Sequence, residues 1–297
     1  MVDVIVEQSE WAEHWWPAPA KLNLMLNIVG QRADGYHELQ TVFQIIAMSD
    51  WLNIVPIDNA DILLSCSSSD IQVSDNLVIK AAQLLKQQSG TKSGAHITLK
   101  KILPMGAGLG GGSSDAATTL VVLNEVWKLG YSVEQLAAIG LELGADVPVF
   151  VHGFSAWAEG VGEKVTPIAL PEKWFVVVNS GYHCSTKEVF THKYLTRDNS
   201  AITIRDFLDG QENNSCLPVV REMSRELDDV YRKFSKFSNV YLTGTGASMF
   251  AKCNTRQEAV SLSDRLPIGW SKWVVKGVNK SPLQKSLKQF YNRVNQV

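Results

Sequence analysis

The stretch Pro104-Met105-Gly106-Ala107-Gly108-Leu109-Gly110-Gly111-Gly112-Ser113-Ser114 decides the fold, because it places five glycines and two hydroxyls between a strand-like and a helix-like segment. Glycine tolerates positive φ and carries no Cβ, so several backbone N–H groups can converge on one anion. A helix beginning near Ser114 or Asp115 would add its positive N-terminal end. The sequence therefore predicts a phosphate-binding loop, with a flexible linker or a glycine-rich hairpin as the alternative.

Two familiar phosphate motifs fit this loop poorly. Gly106-x-Gly108-x-x-Gly111 has the dinucleotide-binding spacing, but the second strand with its terminal acid is missing about 20 residues on. Residues 127–134 instead read as the end of one helix and the start of the next. Gly106 and Gly111 also open like a P-loop, yet Gly112-Ser113 follows where lysine is required. A basic side chain must therefore come from elsewhere in the chain.

Lys21 is the candidate for that basic group, because it interrupts the apolar alternating run Pro19-Ala20-Lys21-Leu22-Asn23-Leu24. Asp146 interrupts a second apolar stretch, at residues 144–150. A buried charge costs several kcal/mol unless it is paired or functional, so the two residues are candidates for each other. Read alone, Lys21 would more often point to solvent. A second Gly/Thr/Ser loop lies at residues 242–248.

Three motifs in this order resemble the GHMP small-molecule kinase superfamily: Pro19-Ala20-Lys21-Leu22-Asn23, the glycine loop at residues 104–114, and Thr243-Gly244-Thr245-Gly246-Ala247. Gly35-Tyr36-His37 and its neighbours, with residues 144–148, 159–163 and 276–283, resemble the branch that acts on a cytidine-bearing sugar alcohol. The likeness runs from about Trp16 to Leu283. It covers nearly the whole chain.

The mixture of antiparallel-looking strands and helices predicts an α+β fold. Strands are expected at residues 22–29, 42–57, 95–102, 156–158, 174–178 and 272–278, and helices from an Asp75 or Asn76 cap and at 114–127, 132–143 and 217–236. The resemblance implies a two-domain GHMP kinase architecture with the active site in the cleft. We place a nucleotide-binding and catalytic domain at 1–157, with 1–15 as a possible extension, and a C-terminal GHMP domain at 158–297.

The resemblance also implies roles for individual residues. Asp146 would be the general base, and Lys21 would orient the acceptor hydroxyl and stabilise the transferring phosphoryl group. ATP would lie on the loop from Pro104 to Ser114, where Ser113 and Ser114 can bind phosphate or Mg²⁺. The substrate-binding residues implied are Asn23, Tyr36, His37, Thr186, Phe190, Thr245 and Gly246. Tyr36 would pack on the cytosine ring, His37 would bind its edge, and Phe190 would lie on its opposite side.

The activity implied is ATP-dependent phosphorylation of the 2-hydroxyl of 4-diphosphocytidyl-2-C-methyl-D-erythritol, in isoprenoid precursor synthesis by the non-mevalonate route. One alternative is a GHMP kinase for mevalonate, homoserine or a sugar, which would share the phosphate and catalytic motifs. Another is a catalytically idle nucleotide-binding regulator. The presence of both Lys21 and Asp146 argues against the regulator, because binding alone needs no base.

The composition is that of an ordinary soluble protein, with 297 residues, of which 45% are hydrophobic and 20% charged, and a net charge of −2. No run of five like charges favours a nucleic-acid or membrane partner. No apolar run reaches 18 residues and the N-terminus is acidic, which predicts a cytoplasmic protein. The four scattered cysteines, Cys66, Cys184, Cys216 and Cys253, predict free thiols. We expect a monomer or weak homodimer.

Overall fold

The computed structural model describes residues 8–67, 75–179, 181–182 and 184–294. The strands are β1 (Trp16–Gln31), β2 (His37–Ile57), β3 (Ile62–Cys66), β4 (Gly94–Lys100), β5 (Ala156–Gly160), β6 (Lys164–Pro167), β7 (Trp174–Asn179), β8 (Tyr241–Leu242), β9 (Ser248–Cys253) and β10 (Ser271–Val278). The helices are α1 (Gln8–Ala12), α2 (Leu77–Ser89), α3 (Gly111–Val126), α4 (Val133–Leu141), α5 (Val147–His152), α6 (Thr186–Thr191), α7 (Ile204–Leu208), α8 (Leu217–Met223), α9 (Arg225–Ser235), α10 (Arg256–Arg265) and α11 (Pro282–Val294). This mixture confirms the predicted α+β class.

The long hairpin of β1 and β2 organises the sheet. β2 also pairs antiparallel with β4, β5 and β10, and the strand order is β3-β4-β2-β10-β7-β9-β8. The junction between β2 and β10 is narrow, with Gly277 opposite Ile46 and Val278 opposite Ile45. A Cβ on Gly277 would lie 2.8 Å from the Phe175 ring, so glycine is needed where the strands meet.

Three apolar clusters fill the molecule. One packs α2, α3, α4 and α5 against β2 and β4, and a second packs α8, α9 and α10 against β7 and β9. The third draws residues from both halves of the chain and contains Leu22 and Met25 of β1, Phe175 of β7, and Ala107 and Leu109 of the glycine loop. The glycine loop is therefore anchored in the core shared by the first and second halves of the chain.

Two helix boundaries differ from the expectation. α3 begins at Gly111, not near Ser114, because Gly110 adopts φ 72° and ends the loop. The helical run expected at 217–236 is two helices. Ser224 has an extended backbone, φ −136° and ψ 115°, and its side chain accepts from the N–H of Leu227 to cap α9. The expected cap at Asp75 or Asn76 is Asn76, which accepts from the N–H of Val78.

Residues 8–15, which precede the family-like region, dock on the core. Trp11 is buried and its ring lies 4.6 Å from that of Phe290 in α11. Asn53 of β2 donates its side-chain amide to the carbonyls of Trp11, Ala12 and His14, which holds the end of α1. No helix in the described ranges has the length and apolarity to cross a membrane.

Candidate active site

The predicted pair of Lys21 and Asp146 forms at the floor of a cleft. Lys21 is 3% exposed, and its Nζ lies 3.1 Å from Asp146 Oδ2 and 2.5 Å from Asn23 Oδ1. Asp146 is 33% exposed and stands at the N-cap of α5, where Pro148 and its apolar neighbours turn into the core. Among the described residues nothing engages Asp146 Oδ1. One carboxylate oxygen is thus held by the lysine while the other is available.

Asn23 is fixed by a network that tethers Lys21. Its backbone N–H donates to Thr243 Oγ1 at 3.0 Å, and its amide donates to Thr41 Oγ1 at 2.9 Å. Thr41 in turn donates to the carbonyl of Met25 at 2.6 Å. As expected for residues two apart on a strand, Asn23 and Lys21 share one face. The network predefines the position of the Lys21 ammonium group.

The glycine loop is tied down by its carbonyl groups. The Leu109 carbonyl accepts from Lys21 N–H at 3.0 Å, the Gly108 carbonyl from Thr243 Oγ1 at 3.0 Å, and the Ala107 carbonyl from Ser248 N–H at 3.2 Å. Gly110 caps α3 without any side-chain hydrogen bond. The N–H groups in the first turn of α3 are therefore available to an anion.

Gly108 packs directly against the late loop. Its φ is 74°, and an added Cβ would lie 2.4 Å from the carbonyl oxygen of Thr243 and 2.9 Å from that of Gly246. Glycine is therefore required at this position for the contact between the two loops as well as for the approach of a phosphate to the backbone.

We expect Gly108→Ala to lower the melting temperature by several degrees and to weaken ATP binding, because the two loops must separate. Gly130→Ala is the matched control, since Gly130 has nearly the same φ of 72° but, apart from its chain neighbours, no atom of the described residues within 4 Å of its Cβ position. That control should show only the backbone cost, about 1 kcal/mol. Equal melting temperatures for the two variants would show that the loop contact is unimportant.

Three cavities follow one another along the cleft. The outer one, about 340 Å³, is lined by the glycine loop, Asn76 and Lys101. The middle one, about 300 Å³, contains Lys21, Asp146 and Thr245. The third, about 520 Å³, is lined by Tyr36, His37 and Phe190 among others. Adjacent cavities share residues, so an extended ligand could reach from the loop to the aromatic end.

The aromatic end contains the predicted Tyr36, His37 and Phe190. His37 is 8% exposed and stacks on Phe190 with ring centroids 5.1 Å apart, whereas Tyr36 is 65% exposed. Arg197 donates from Nε to His37 Nε2 at 3.1 Å. Burial and, secondarily, the Arg197 charge lower the pKa of His37, so its ring is neutral at pH 7.

Thr245 of the late loop and Thr186 of α6 both line the middle cavity. Their hydroxyls lie 3.0 Å apart. Asn214 donates its amide to the carbonyls of Leu242 and Gly244 at 2.9 and 2.8 Å and so holds the loop from behind. Gly246, also a predicted site residue, has φ 95° and packs near Leu242 and Cys184. It does not line the middle cavity.

A buried charge cluster beneath the glycine loop was missed by sequence reasoning. Lys101 Nζ lies 2.5 Å from Asp50 Oδ2 and 2.8 Å from Asp115 Oδ2. Asp50 Oδ1 accepts from the backbone N–H groups of Ile102 and Leu103, which lead into the loop. The cluster therefore fixes the start of the loop. Lys101 and Asp115 also line the outer cavity.

Asp115 is expected to make stability pH-dependent. Burial raises its pKa from 3.8 to about 7, with the attraction of Lys101 opposing and the repulsion of Asp50 adding. Between these values the folded state binds more protons than the unfolded state, so stability falls as pH rises. Asp115→Asn should flatten the pH dependence of the free energy of unfolding between pH 5 and 7, where the wild-type slope from this group is at most about 1.4 kcal/mol per pH unit. As a control, substitution of the exposed Asp61 by Asn should leave the pH dependence of stability as in the wild type. A wild-type pH dependence in Asp115→Asn would exclude Asp115 as its source.

Comparison with known proteins agrees with the fold. The family models "GHMP kinases N terminal domain" and "GHMP kinases C terminal" match residues 76–154 and 197–272. A crystal structure of mevalonate kinase is similar at a TM-score of 0.67 and 13% identity over 90% of this chain and all of that one, which concerns the fold alone. The two family models define a small-molecule kinase of the GHMP class.

Relatives with higher sequence identity define the family within the GHMP kinases. A 4-diphosphocytidyl-2-C-methyl-D-erythritol kinase of Nitrosococcus oceani is 48% identical over 90% of this chain and 96% of its own, and one of Shewanella frigidimarina is 47% identical over 92% and 95%. A crystal structure of 4-(cytidine 5'-diphospho)-2C-methyl-D-erythritol kinase is similar at a TM-score of 0.77 and 30% identity, over 90% of this chain and all of that one. The chain belongs to the 4-diphosphocytidyl-2-C-methyl-D-erythritol kinase family.

Proposed function

We propose that the protein transfers the γ-phosphoryl group of ATP to the 2-hydroxyl of 4-diphosphocytidyl-2-C-methyl-D-erythritol. The observation that carries this proposal is the position of the Lys21–Asp146 pair, which lies between a glycine loop and an aromatic cavity. The three contiguous cavities match the order of the reactants: nucleotide phosphates, reacting hydroxyl, and base of the acceptor. The family of the relatives supports the identity of that acceptor.

The outer end of the cleft fits the phosphates of ATP and a Mg²⁺ ion. The first turn of α3 offers unpaired N–H groups, and Ser114 Oγ and Asp115 Oδ1 are buried without a hydrogen-bond partner among the described residues. Oxygen atoms of this kind suit Mg²⁺, which takes few protein ligands when it is bound with phosphates. We propose Ser113 and Ser114 as the residues that would hold it. The ion would supply neutralisation of phosphate charge.

The middle of the cleft contains the groups that would orient and deprotonate the acceptor hydroxyl. We propose that Asp146 Oδ1 takes the hydroxyl proton, since Oδ2 is engaged by Lys21. Lys21 would hold the hydroxyl oxygen in line and stabilise the charge that develops on the transferring phosphoryl group. Asn23 would keep the ammonium group in place and touch the sugar-alcohol hydroxyls. Thr186 and Thr245 would close the cavity over the reactants, and Gly246, which does not line it, would shape the turn that carries Thr245.

The aromatic end would hold the cytosine. The 5.1 Å between the His37 and Phe190 centroids leaves no room for a base between those two rings. A bound cytosine would therefore meet His37 at its edge, which suits a hydrogen bond. The exposed Tyr36 ring is available to cover the base. We propose this arrangement as the source of acceptor recognition.

An acceptor panel tests the proposed function. ATP consumption is measured with 4-diphosphocytidyl-2-C-methyl-D-erythritol, mevalonate, homoserine and galactose, and the phosphorylated position of the product is determined by NMR. We expect turnover with the cytidine-bearing acceptor alone and phosphate on its 2-hydroxyl. Preference for another acceptor would indicate a different GHMP kinase. ATP binding without turnover of any acceptor would indicate a nucleotide-binding regulator.

A further inference from the structure

Arg197 lines the aromatic cavity and hydrogen-bonds to the residues that form it. Its Nε donates to His37 Nε2 at 3.1 Å. Its Nη atoms donate to the carbonyls of Leu195, Phe190 and His192 at 2.9 to 3.1 Å. All these bonds use guanidinium donors, and the Arg197 side chain binds both residues whose rings stack, His37 and Phe190.

The bond to His37 determines which ring nitrogen carries the proton. A guanidinium group has donors and no acceptor, and it does not lose its proton in proteins. Nε2 can accept from Arg197 only when it is bare. A neutral imidazole with a bare Nε2 carries its proton on Nδ1. Arg197 therefore imposes the Nδ1–H tautomer on His37.

The remaining nitrogen of His37 is free for a ligand. Within the ranges that the structure describes, no protein atom hydrogen-bonds to Nδ1, and Nδ1 is not among the fully buried atoms without partners. His37 lines the aromatic cavity. With the proton on Nδ1, this nitrogen can donate a hydrogen bond to a ligand and cannot accept one.

We propose that Arg197 is a positioning residue that makes the protein select cytosine over uracil, by fixing His37 as a hydrogen-bond donor. This inference rests on the proposed function, because it requires an acceptor that carries a pyrimidine base. Cytosine presents a bare N3 that accepts from Nδ1–H. Uracil presents N3–H, which faces Nδ1–H donor to donor. A buried site that leaves polar groups unpaired discriminates strongly.

The tautomer is measured first, without substrate. The ring ¹⁵N chemical shifts of histidine-labelled protein distinguish a protonated from a bare nitrogen, and the signal missing from His37→Gln assigns His37. We expect Nδ1–H in the wild type and in Arg197→Lys, which keeps a donor. Arg197→Met, which keeps the alkyl stem and loses every donor, should give a mixture of tautomers. A wild-type proton on Nε2 would overturn the proposal.

Selectivity is measured next, as the ratio of kcat/KM for the cytidine acceptor to that for its uridine analogue. We expect the ratio to fall about tenfold or more in Arg197→Met and in His37→Gln, which leaves the carbonyl contacts of Arg197 intact. Arg197→Lys should recover most of the wild-type ratio. KM for ATP should stay within about twofold in all three variants, as expected for a residue that acts only on the acceptor base.

The results of these experiments distinguish a role of Arg197 in base selectivity from a purely structural role. An unchanged ratio in Arg197→Met, or a loss shared equally by both acceptors and by ATP, would make Arg197 a structural residue and overturn the proposal. If the wild type turns over neither pyrimidine acceptor, the proposed function fails and the selectivity claim fails with it. The tautomer result is then still obtained, so the two failures are distinguishable.

Discussion

The Asp146→Asn variant is expected to turn over at least about a hundredfold more slowly than the wild type, the usual scale for losing a general base. Asparagine keeps the shape of the side chain at the start of α5 but cannot take a proton. ATP binding should be nearly unchanged, because the phosphate loop is contributed by other residues. Single-turnover kinetics and ATP titration measure the two effects separately.

Two controls accompany that variant. Glu142→Gln removes a nearby exposed carboxylate outside the cleft and should have wild-type kcat. Mass spectrometry shows whether the introduced asparagine has deamidated back to aspartate. Wild-type turnover in an Asp146→Asn sample that is free of deamidation would remove Asp146 from the mechanism.

Lys21→Met is expected to lose about 3 kcal/mol of transition-state stabilisation, a drop of roughly 150-fold in kcat/KM. Methionine fills the space of the lysine stem beside Phe43, over whose ring the ammonium group lies at 5.4 Å. The affinity for ATP should change much less. If ATP binding collapses while kcat at saturation survives, Lys21 belongs to the nucleotide site.

A double-mutant cycle tests whether Lys21 and Asp146 act as a unit. Their charged atoms are 3.1 Å apart, so the effects of Lys21→Met and Asp146→Asn should not add. The double variant should be little slower than the slower single variant. Additive losses would mean that the two residues serve separate steps. Thermal melts of all three variants exclude unfolding as the cause.

The features that could be predicted from the sequence are those marked by a pattern of neighbouring residues. Alternation identified parts of β1 and β2, at residues 22–29 and 42–57, and a capping residue at Asp75 or Asn76 identified the start of α2. Lys21 and Asp146 were visible because a charge in an apolar run is unusual and needs a partner. The glycine loop was recognisable from composition alone. The domain boundary at residue 157 stays a prediction, as do the roles of the site residues.

The charge cluster and the Arg197 contact were not predicted because they depend on contacts between residues that are distant in the chain. Asp50 follows an apolar run in β2 as an ordinary strand residue, and only the register of β2 with β4 brings it to Lys101. Lys101 and Asp115 flank the glycine loop, which was the available signal. Arg197 lies in an irregular segment 160 residues from His37, with no local pattern to mark it. The start of α3 was misplaced because the glycines after Gly110 are helical despite their poor helix propensity.

The three hydrogen bonds accepted by the carbonyl groups of the glycine loop have a thermodynamic consequence. One anchor comes from β1, one from Thr243 and one from the start of β9, so the loop joins segments more than 200 residues apart in the chain. The conformational entropy of ordering this loop is lost during folding, and a nucleotide that meets its N–H groups encounters a surface already in place. Any ligand bound there stabilises, by mass action, the folded arrangement in which the loop contacts both segments. Backbone amides at residues 243–248 should then exchange with solvent more slowly when nucleotide is bound, far along the chain from the loop that holds it.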